Sequence, residues 1–270
     1  MTISSQSGMT ASMTATESTA GQARRLAGAF ADGLARRARM IADKPPVGSH
    51  RPSFRLFVGE LSHVAEPIRR WLRPETPVAR AEHPRVVILL PGFATNPRRM
   101  RFMARDLERA GHTVKQWGQG YNLGPSPENF DQLARRVCEV RQRYGQQVYL
   151  VGWSLGGIFA REVAKRHPEC VAKVVTLGSP FSHSPYSNNV WRTYQMVTGH
   201  SVAAPPVEAE VARKPPVETV ALWSPRDGVI APRSACGTIG ERDRARALRC
   251  SHMGFCDSPQ SISAVLRELA

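Results

Sequence analysis

With 270 residues, 41% of them hydrophobic, and a formal net charge of +15, the chain can build one large α/β domain or two small ones around a sizeable core. The basic balance favours anionic partners such as acidic lipid surfaces or anionic substrates, or reflects an arginine-rich proteome. Helix–turn–helix, zinc-finger and RNP signatures are missing, which argues against nucleic acid, and no apolar run approaches the roughly 20 residues of a membrane span.

Residues 1–22, rich in Ser, Thr, Met, Ala and Gly, read as a disordered tail. They lack the basic and apolar regions of a secretory signal, so a cytoplasmic location with optional peripheral membrane contact is expected. Residues 23–42 predict a helix with Leu26, Phe30, Leu34 and Ile41 near one face and Arg24, Arg25, Arg36, Arg37 and Arg39 towards its ends. It reads as a surface helix packed on the domain or as an interfacial membrane helix. KPPVGSHRP (44–52) is a linker, closing a first region of 1–52. A helical extension follows over 53–83. Its helix, 53–72, places Phe54, Phe57, Val58, Leu61, Val64 and Ile68 at helical spacing.

From residue 84 the pattern becomes regular. RVVILLPG (85–92) is a continuous apolar run of the kind a central parallel strand needs. A helix over 95–111 follows, with Asn96 as N-cap, Pro97 at N1 and Gly111 as its stop. Strands are expected at 112–117, 146–153, 171–180, 217–224 and 246–251. Helices are expected from Ser126 to about Tyr144, over 156–167 and over 258–269. The alternation implies a doubly wound, mostly parallel sheet over 84–270, with helices on both faces. The five cysteines, Cys138, Cys170, Cys236, Cys250 and Cys256, are expected as free thiols; Cys236 and Cys250 fall in segments that should be neighbours, which leaves a disulfide between them open. Cys250, His252 and Cys256 match no standard metal spacing, and no metal is expected.

Ligands of such sheets sit beyond the carboxyl ends of the strands, and four stretches end there with reactive groups. In LVGWSLGG (150–157), G-x-S-x-G stands between a strand and a helix, a turn that pushes the Ser154 hydroxyl out of the backbone. Serine attacks a carbonyl only when a neighbouring base takes its proton. In LLPGFATN (89–96), Gly92 and Phe93 can offer N–H groups that, with that of Leu155, would hold an oxyanion. In WSPRDGVI (223–230), Asp227 follows a strand and can orient a histidine; Glu241 and Asp243 are rivals in a charged loop. In SHMGF (251–255), His252 is the one histidine of eight that lies after Asp227. The order Ser154, Asp227, His252 is that of the α/β hydrolases and differs from those of chymotrypsin and subtilisin.

On LLPGF, GWSLGG with Ala160 and Arg161, LGSPF, SPRDG and SHMGF, residues about 84–270 resemble the α/β-hydrolase superfamily, nearest to bacterial lipases and carboxylesterases. The resemblance implies an ester hydrolase with Ser154 as nucleophile, Asp227 as acid, His252 as base, and Phe93 and Leu155 as oxyanion donors. Two departures stand out. Trp153 replaces a histidine common in lipases, and no HGGG run precedes the oxyanion residue, which argues against the esterases that use one. Residues 182–216, between two core strands, exceed an ordinary loop. In α/β hydrolases a cap is inserted here, and NNVWRTYQMV would place Trp191 and Tyr194 over the serine. Gly92 and Trp153 complete the expected substrate contacts. A hydrophobic, lipid-like ester is the expected substrate; thioesterase, acyltransferase or polyester depolymerase chemistry would use the same triad. No cofactor is called for. Arg98, Arg99 and Arg101 read as an anion-binding cluster or as a solvated helix face.

Overall fold

The computed structural model describes residues 19–65, 78–207 and 209–270. Six strands, β1 (Val86–Leu90), β2 (Thr113–Gln116), β3 (Val148–Trp153), β4 (Val171–Leu177), β5 (Glu218–Trp223) and β6 (Arg244–Ala247), form one sheet in the order β2-β1-β3-β4-β5-β6. Every neighbouring pair is parallel. All five residues of β1 are buried, as a strand covered on both faces requires. Alternation along β1 divides the core. Val87 and Leu89 join Met103 and Leu107 of α3 (Arg101–Arg109) and Ile262 and Val265 of α8 (Pro259–Leu269), the helix that follows the short α7 (Pro232–Cys236) in the chain. Val86, Ile88 and Leu90 join Phe130 and Val137 of α4 (Pro127–Tyr144) and Phe159 and Val163 of α5 (Leu155–Arg166).

Local chemistry sets the helix ends. Ser126 and Asn129 form a reciprocal capping box, and Gly145 closes α4 in the left-handed region. Asn96 caps a 3-10 turn, Pro97–Met100, that leads into α3, and Ser258 caps α8. The last strand begins and ends earlier than the expected 246–251. Its pairing runs from Val220↔Arg244 to Trp223↔Ala247, with one last bond from Leu248 N–H to Trp223 O, and stops where β5 stops, so that 249–251 leave the sheet. The strand order reverses between β1 and β3, and their carboxyl ends flank the crevice where such sheets bind ligands.

The N-terminal segments lie against this frame. Helix α1 (Thr19–Ala42) meets α6 (Trp191–Thr198) of the β4–β5 connection: Arg192 Nε donates to Ile41 O at 2.9 Å and Gln195 Nε2 to Met40 O at 2.8 Å. Further along the helix, Leu26 and Phe30 remain 68% and 67% exposed. Helix α2 (Phe54–Gly59) tightens into a 3-10 turn, Glu60–Ala65. The residues at helical spacing divide: Phe57 packs against Val229, Ile230 and Ala235, whereas Phe54, Val58 and Leu61 are exposed, and Glu60 is buried. Ile68 and the rest of the expected helix beyond Ala65 lie outside the described residues, as do residues 1–18 of the expected tail.

The expectation of five free thiols is corrected. Cys138 on α4 is bonded to Cys170 in the turn before β4, whereas Cys236, Cys250 and Cys256 are free. Packing of α4 against that turn brings the two Cα atoms to 5.3 Å, within disulfide reach. Spacing along the chain carries no trace of this, because helix and turn become neighbours only through the sheet. Among the described residues, Cys138, Glu169 and Cys170 are grouped closely enough for a metal, but the two sulfurs are bonded to each other.

Candidate active site

The turn between β3 and α5 holds Ser154 at φ 53°, ψ −121°. A non-glycine residue with positive φ is strained by about 1–3 kcal/mol and persists only where its surroundings force it. They do so here by close approach. A Cβ on Gly152 would strike the Gly156 carbonyl, and one on Gly156 would strike the Leu90 carbonyl. The glycines therefore let α5 start directly against the ends of β3 and β1, which leaves the serine at the apex.

At the end of β1, Ala94 is also at positive φ, 55°. Its N–H donates to Asn122 O at 2.7 Å, while Asn122 Nδ2 donates to Pro91 O at 2.8 Å. The loop thus turns around Asn122. Among the described residues, the N–H groups of Phe93 and Leu155 donate to no other group, and both residues line one cavity with Ser154. Two free donors beside a hydroxyl at a helix N-terminus are the elements of an oxyanion site.

Asp227 and His252 are both buried, and His252 Nδ1 lies 2.7 Å from Asp227 Oδ2. Asp227 Oδ1 accepts the N–H groups of Val229 and Ile230 at 2.8 and 2.7 Å, which fixes the carboxylate in its loop. A carboxylate on Nδ1 directs the other ring nitrogen to act as base. The rivals are engaged elsewhere: Asp243 takes Lys214 and the Thr219 N–H, and Glu241 takes the Thr238 N–H. Elbow and histidine loop lie side by side. Trp153 Nε1 donates to His252 O at 3.1 Å, and the two rings are 5.5 Å apart. Ser154 Oγ and the imidazole are not hydrogen bonded among the described residues; such bonds commonly tighten only with substrate in place. Cys250 is no rival nucleophile. Burial, reinforced by Asp227, pushes its thiol up to about 12, so the thiolate is scarce at neutral pH.

The cavity above Ser154 is apolar and holds about 130 Å³. Trp191 and Tyr194 of α6 line it, with Ile158 and Val207. The Tyr194 ring stands 5.2 Å from that of Phe93, and burial raises its hydroxyl pKa, keeping it neutral. Trp153 and Gly92 do not line it. Trp153 is 2% exposed and packs into the core, and Gly92 leaves room for the Trp153 ring. Both act on the wall behind the serine. Arg99 is likewise not an open anion receptor: it pairs with Asp257 at 2.9 Å and donates to Met253 O at 2.9 Å, clamping the histidine loop. Arg161 is fully buried and donates to the carbonyls of Val211, Ala212, Arg213 and Glu241, pinning the return of the β4–β5 connection.

Sequence reasoning missed Asn122, Arg99 in its clamping role, and Glu60. Asn122 stands in a short YNLG loop with turn chemistry but no periodic signal, and its partner, Pro91, is 31 residues away. Glu60 stands among apolar residues at helical spacing, and the pattern singles out only those apolar residues.

With the sheet order, the serine elbow and the Asp–His pair in place, the fold is that of the α/β hydrolases. Residues 85–199 match the family model described as the alpha/beta hydrolase fold. A segment of 68 residues is 43% identical to a pimeloyl-[acyl-carrier protein] methyl ester esterase of Klebsiella pneumoniae, covering 25% of each chain. Another of 77 residues is 32% identical to a homoserine O-acetyltransferase of Thermus thermophilus, covering 28% of this chain and 19% of that one. The chain thus spans about a quarter of the length of the curated relatives it matches. Among solved structures, the mature Bacillus licheniformis lipase BlEst2 superposes with a TM-score of 0.54 at 14% identity, over 72% of this chain and 96% of that one.

Proposed function

We propose that the protein is a serine hydrolase of carboxylic esters. The observation that carries this reading is the His252–Asp227 pair at 2.7 Å beside a turn that holds Ser154 at positive φ. His252 takes the Ser154 proton as Oγ attacks the acyl carbonyl, and the oxyanion rests on the N–H groups of Phe93 and Leu155. His252 returns the proton to the departing alcohol. Water, deprotonated by the same histidine, then attacks the acyl-enzyme, and the acid leaves as Ser154 recovers its proton. We assign residues 84–270 to the hydrolase domain and 182–216 to its cap.

The substrate is a hydrophobic ester, since the cavity walls are apolar. Its volume, about 130 Å³, compares with the ~150 Å³ cavity that takes up benzene, and favours a short acyl group. A second reading has one observation in its favour, the segment shared with an acetyltransferase: the acyl-enzyme passes to an acceptor other than water. The exposed Leu26 and Phe30, with arginines around them, fit contact with an anionic membrane surface; among the described residues, no helix is long and apolar enough to cross a membrane.

A fluorophosphonate probe should label the wild type at Ser154 and leave Ser154→Ala unlabelled. Folded wild type that takes no label would overturn the proposal. Rates on p-nitrophenyl esters of rising chain length should peak at short acyl groups. Faster turnover of acyl-CoA, or acyl transfer to an added alcohol, would favour the alternatives.

A further inference from the structure

If Ser154, Asp227 and His252 work as a triad, two separate loops must hold register: one after β5 carrying the acid, one after β6 carrying the base. A carboxylate from outside both loops joins them. Glu60, where α2 passes into its 3-10 turn, is 8% exposed. Its Oε1 accepts the N–H of Gly228 at 2.9 Å and that of His252 at 2.7 Å. Its Oε2 accepts the N–H of Met253 at 3.0 Å. One donor follows the acid directly, one belongs to the base itself, and one comes just after it. The approach is close: a Cβ on Gly228 would strike the Leu56 carbonyl, so the backbone of α2 rests on the acid loop. Upstream of the paired side chains by two or three residues, Ser224 Oγ donates to Cys250 O at 2.5 Å, so the loops also meet at their bases.

A buried carboxylate is costly unless its oxygens are satisfied. Three charge-assisted bonds satisfy this one, and they act on the two backbone positions whose separation sets the Asp227–His252 distance. We propose that Glu60 is a positioning residue of the triad, tying the acid and base loops together from the N-terminal segment. That segment is then part of the catalytic apparatus, although it contributes no group that meets the substrate. The proposal rests on the triad reading above, and the test below separates the two.

Full-length wild type, Glu60→Ala, Glu60→Gln and Leu61→Ala, an exposed neighbour, would be compared in two ways. The first readout is the low-field proton resonance of His252 Nδ1–H, assigned by its absence in His252→Ala; it needs no turnover. Glu60→Ala should shift or broaden it, while Leu61→Ala keeps it. The second is steady-state hydrolysis of p-nitrophenyl butyrate. Glu60→Ala should lower kcat by up to about a hundredfold, the cost of a misplacement near 1 Å, with KM within about twofold. Glu60→Gln keeps an oxygen for Gly228 and His252 but turns an NH2 towards Met253, and should fall between. If Glu60→Ala does not fold, Glu60→Gln decides, with a kcat loss of at least about threefold at unchanged KM as the supporting result. An unaltered resonance and wild-type kcat in the folded Glu60 variants, or equal losses in Leu61→Ala, would overturn the proposal. Wild type without turnover or fluorophosphonate labelling would sink the hydrolase reading instead, leaving the resonance to judge Glu60.

Discussion

The sheet region and the N-terminal segment bury opposite kinds of group. Between residues 85 and 270, apolar strand and helix faces lie inside; all of Val86–Leu90 is buried. Between 19 and 65, Leu26, Phe30, Phe54 and Leu61 face out, Phe57 is half-buried, and the side chain drawn in furthest is the carboxylate of Glu60. The first region is held by apolar area at roughly 25 cal/mol per Å². The second is held mainly by hydrogen bonds, from α6 to Met40 and Ile41 and from Glu60 to the loops that carry Asp227 and His252, with Phe57 packed on Val229 and Ile230. A segment can thus be tied to a fold at its site without sharing its core, and hydrophobic patterning alone does not report that kind of attachment.

The comparison can be broken most sharply at the base. His252→Ala should lower turnover of p-nitrophenyl butyrate by about 10⁴-fold without a large change in melting temperature. Activity near wild type would place the base elsewhere. Gly156→Ala tests the packing of the sheet region. Its methyl meets a backbone carbonyl, Leu90 O, and should cost about 3 kcal/mol, at the upper end of overpacking, read as a lower urea midpoint. An unchanged midpoint would mean that β1 and α5 can part to admit it. Asn122→Ala removes the bond to Pro91 O. It should cost about 1–3 kcal/mol in stability and lower kcat by roughly tenfold, as the Phe93 donor loses its support. Normal kcat would show that the backbone bonds around Ala94 suffice. The smallest effect belongs to the N-terminal segment. Substituting Leu26, Phe30 and Leu34 together by serine should move stability by no more than about 0.5 kcal/mol each and leave hydrolysis of soluble esters intact, while flotation with anionic vesicles falls. A large drop in melting temperature would return that face to the core.

Much of the sheet region was legible because it obeys local rules. RVVILLPG reads as a buried parallel strand from composition alone, and Ser126 and Ser258 read as caps from the residues that follow them. The elbow was legible because Gly152, Ser154 and Gly156 meet three constraints within five residues. The Asp227–His252 pair followed from chain order. What failed to show depends on contacts distant in sequence. Glu60 and His252 are 192 residues apart, and nothing around ELSHVA distinguishes an inward carboxylate from a solvated one. Helical spacing alone does not say that, of Phe54, Phe57, Val58 and Leu61, only Phe57 meets the body of the molecule while the other three stay exposed. Trp153 looked like a substrate contact because it adjoins Ser154; successive residues of a strand point to opposite sides, which sends its ring into the core. The Cys138–Cys170 pair was hidden for the same reason as Glu60, since its halves meet only after α4 docks.

That bond has a consequence of its own. Cys170 closes the amino-terminal edge of β4, while Ser154 stands beyond the carboxyl end of β3, so the covalent tie and the nucleophile occupy opposite rims of the sheet. A cross-link restrains the unfolded chain more than it shapes the folded one. Opening that bond with a reductant is therefore expected to lower the melting temperature while ester turnover at room temperature stays near its oxidised value, which makes durability and rate separable in this scaffold.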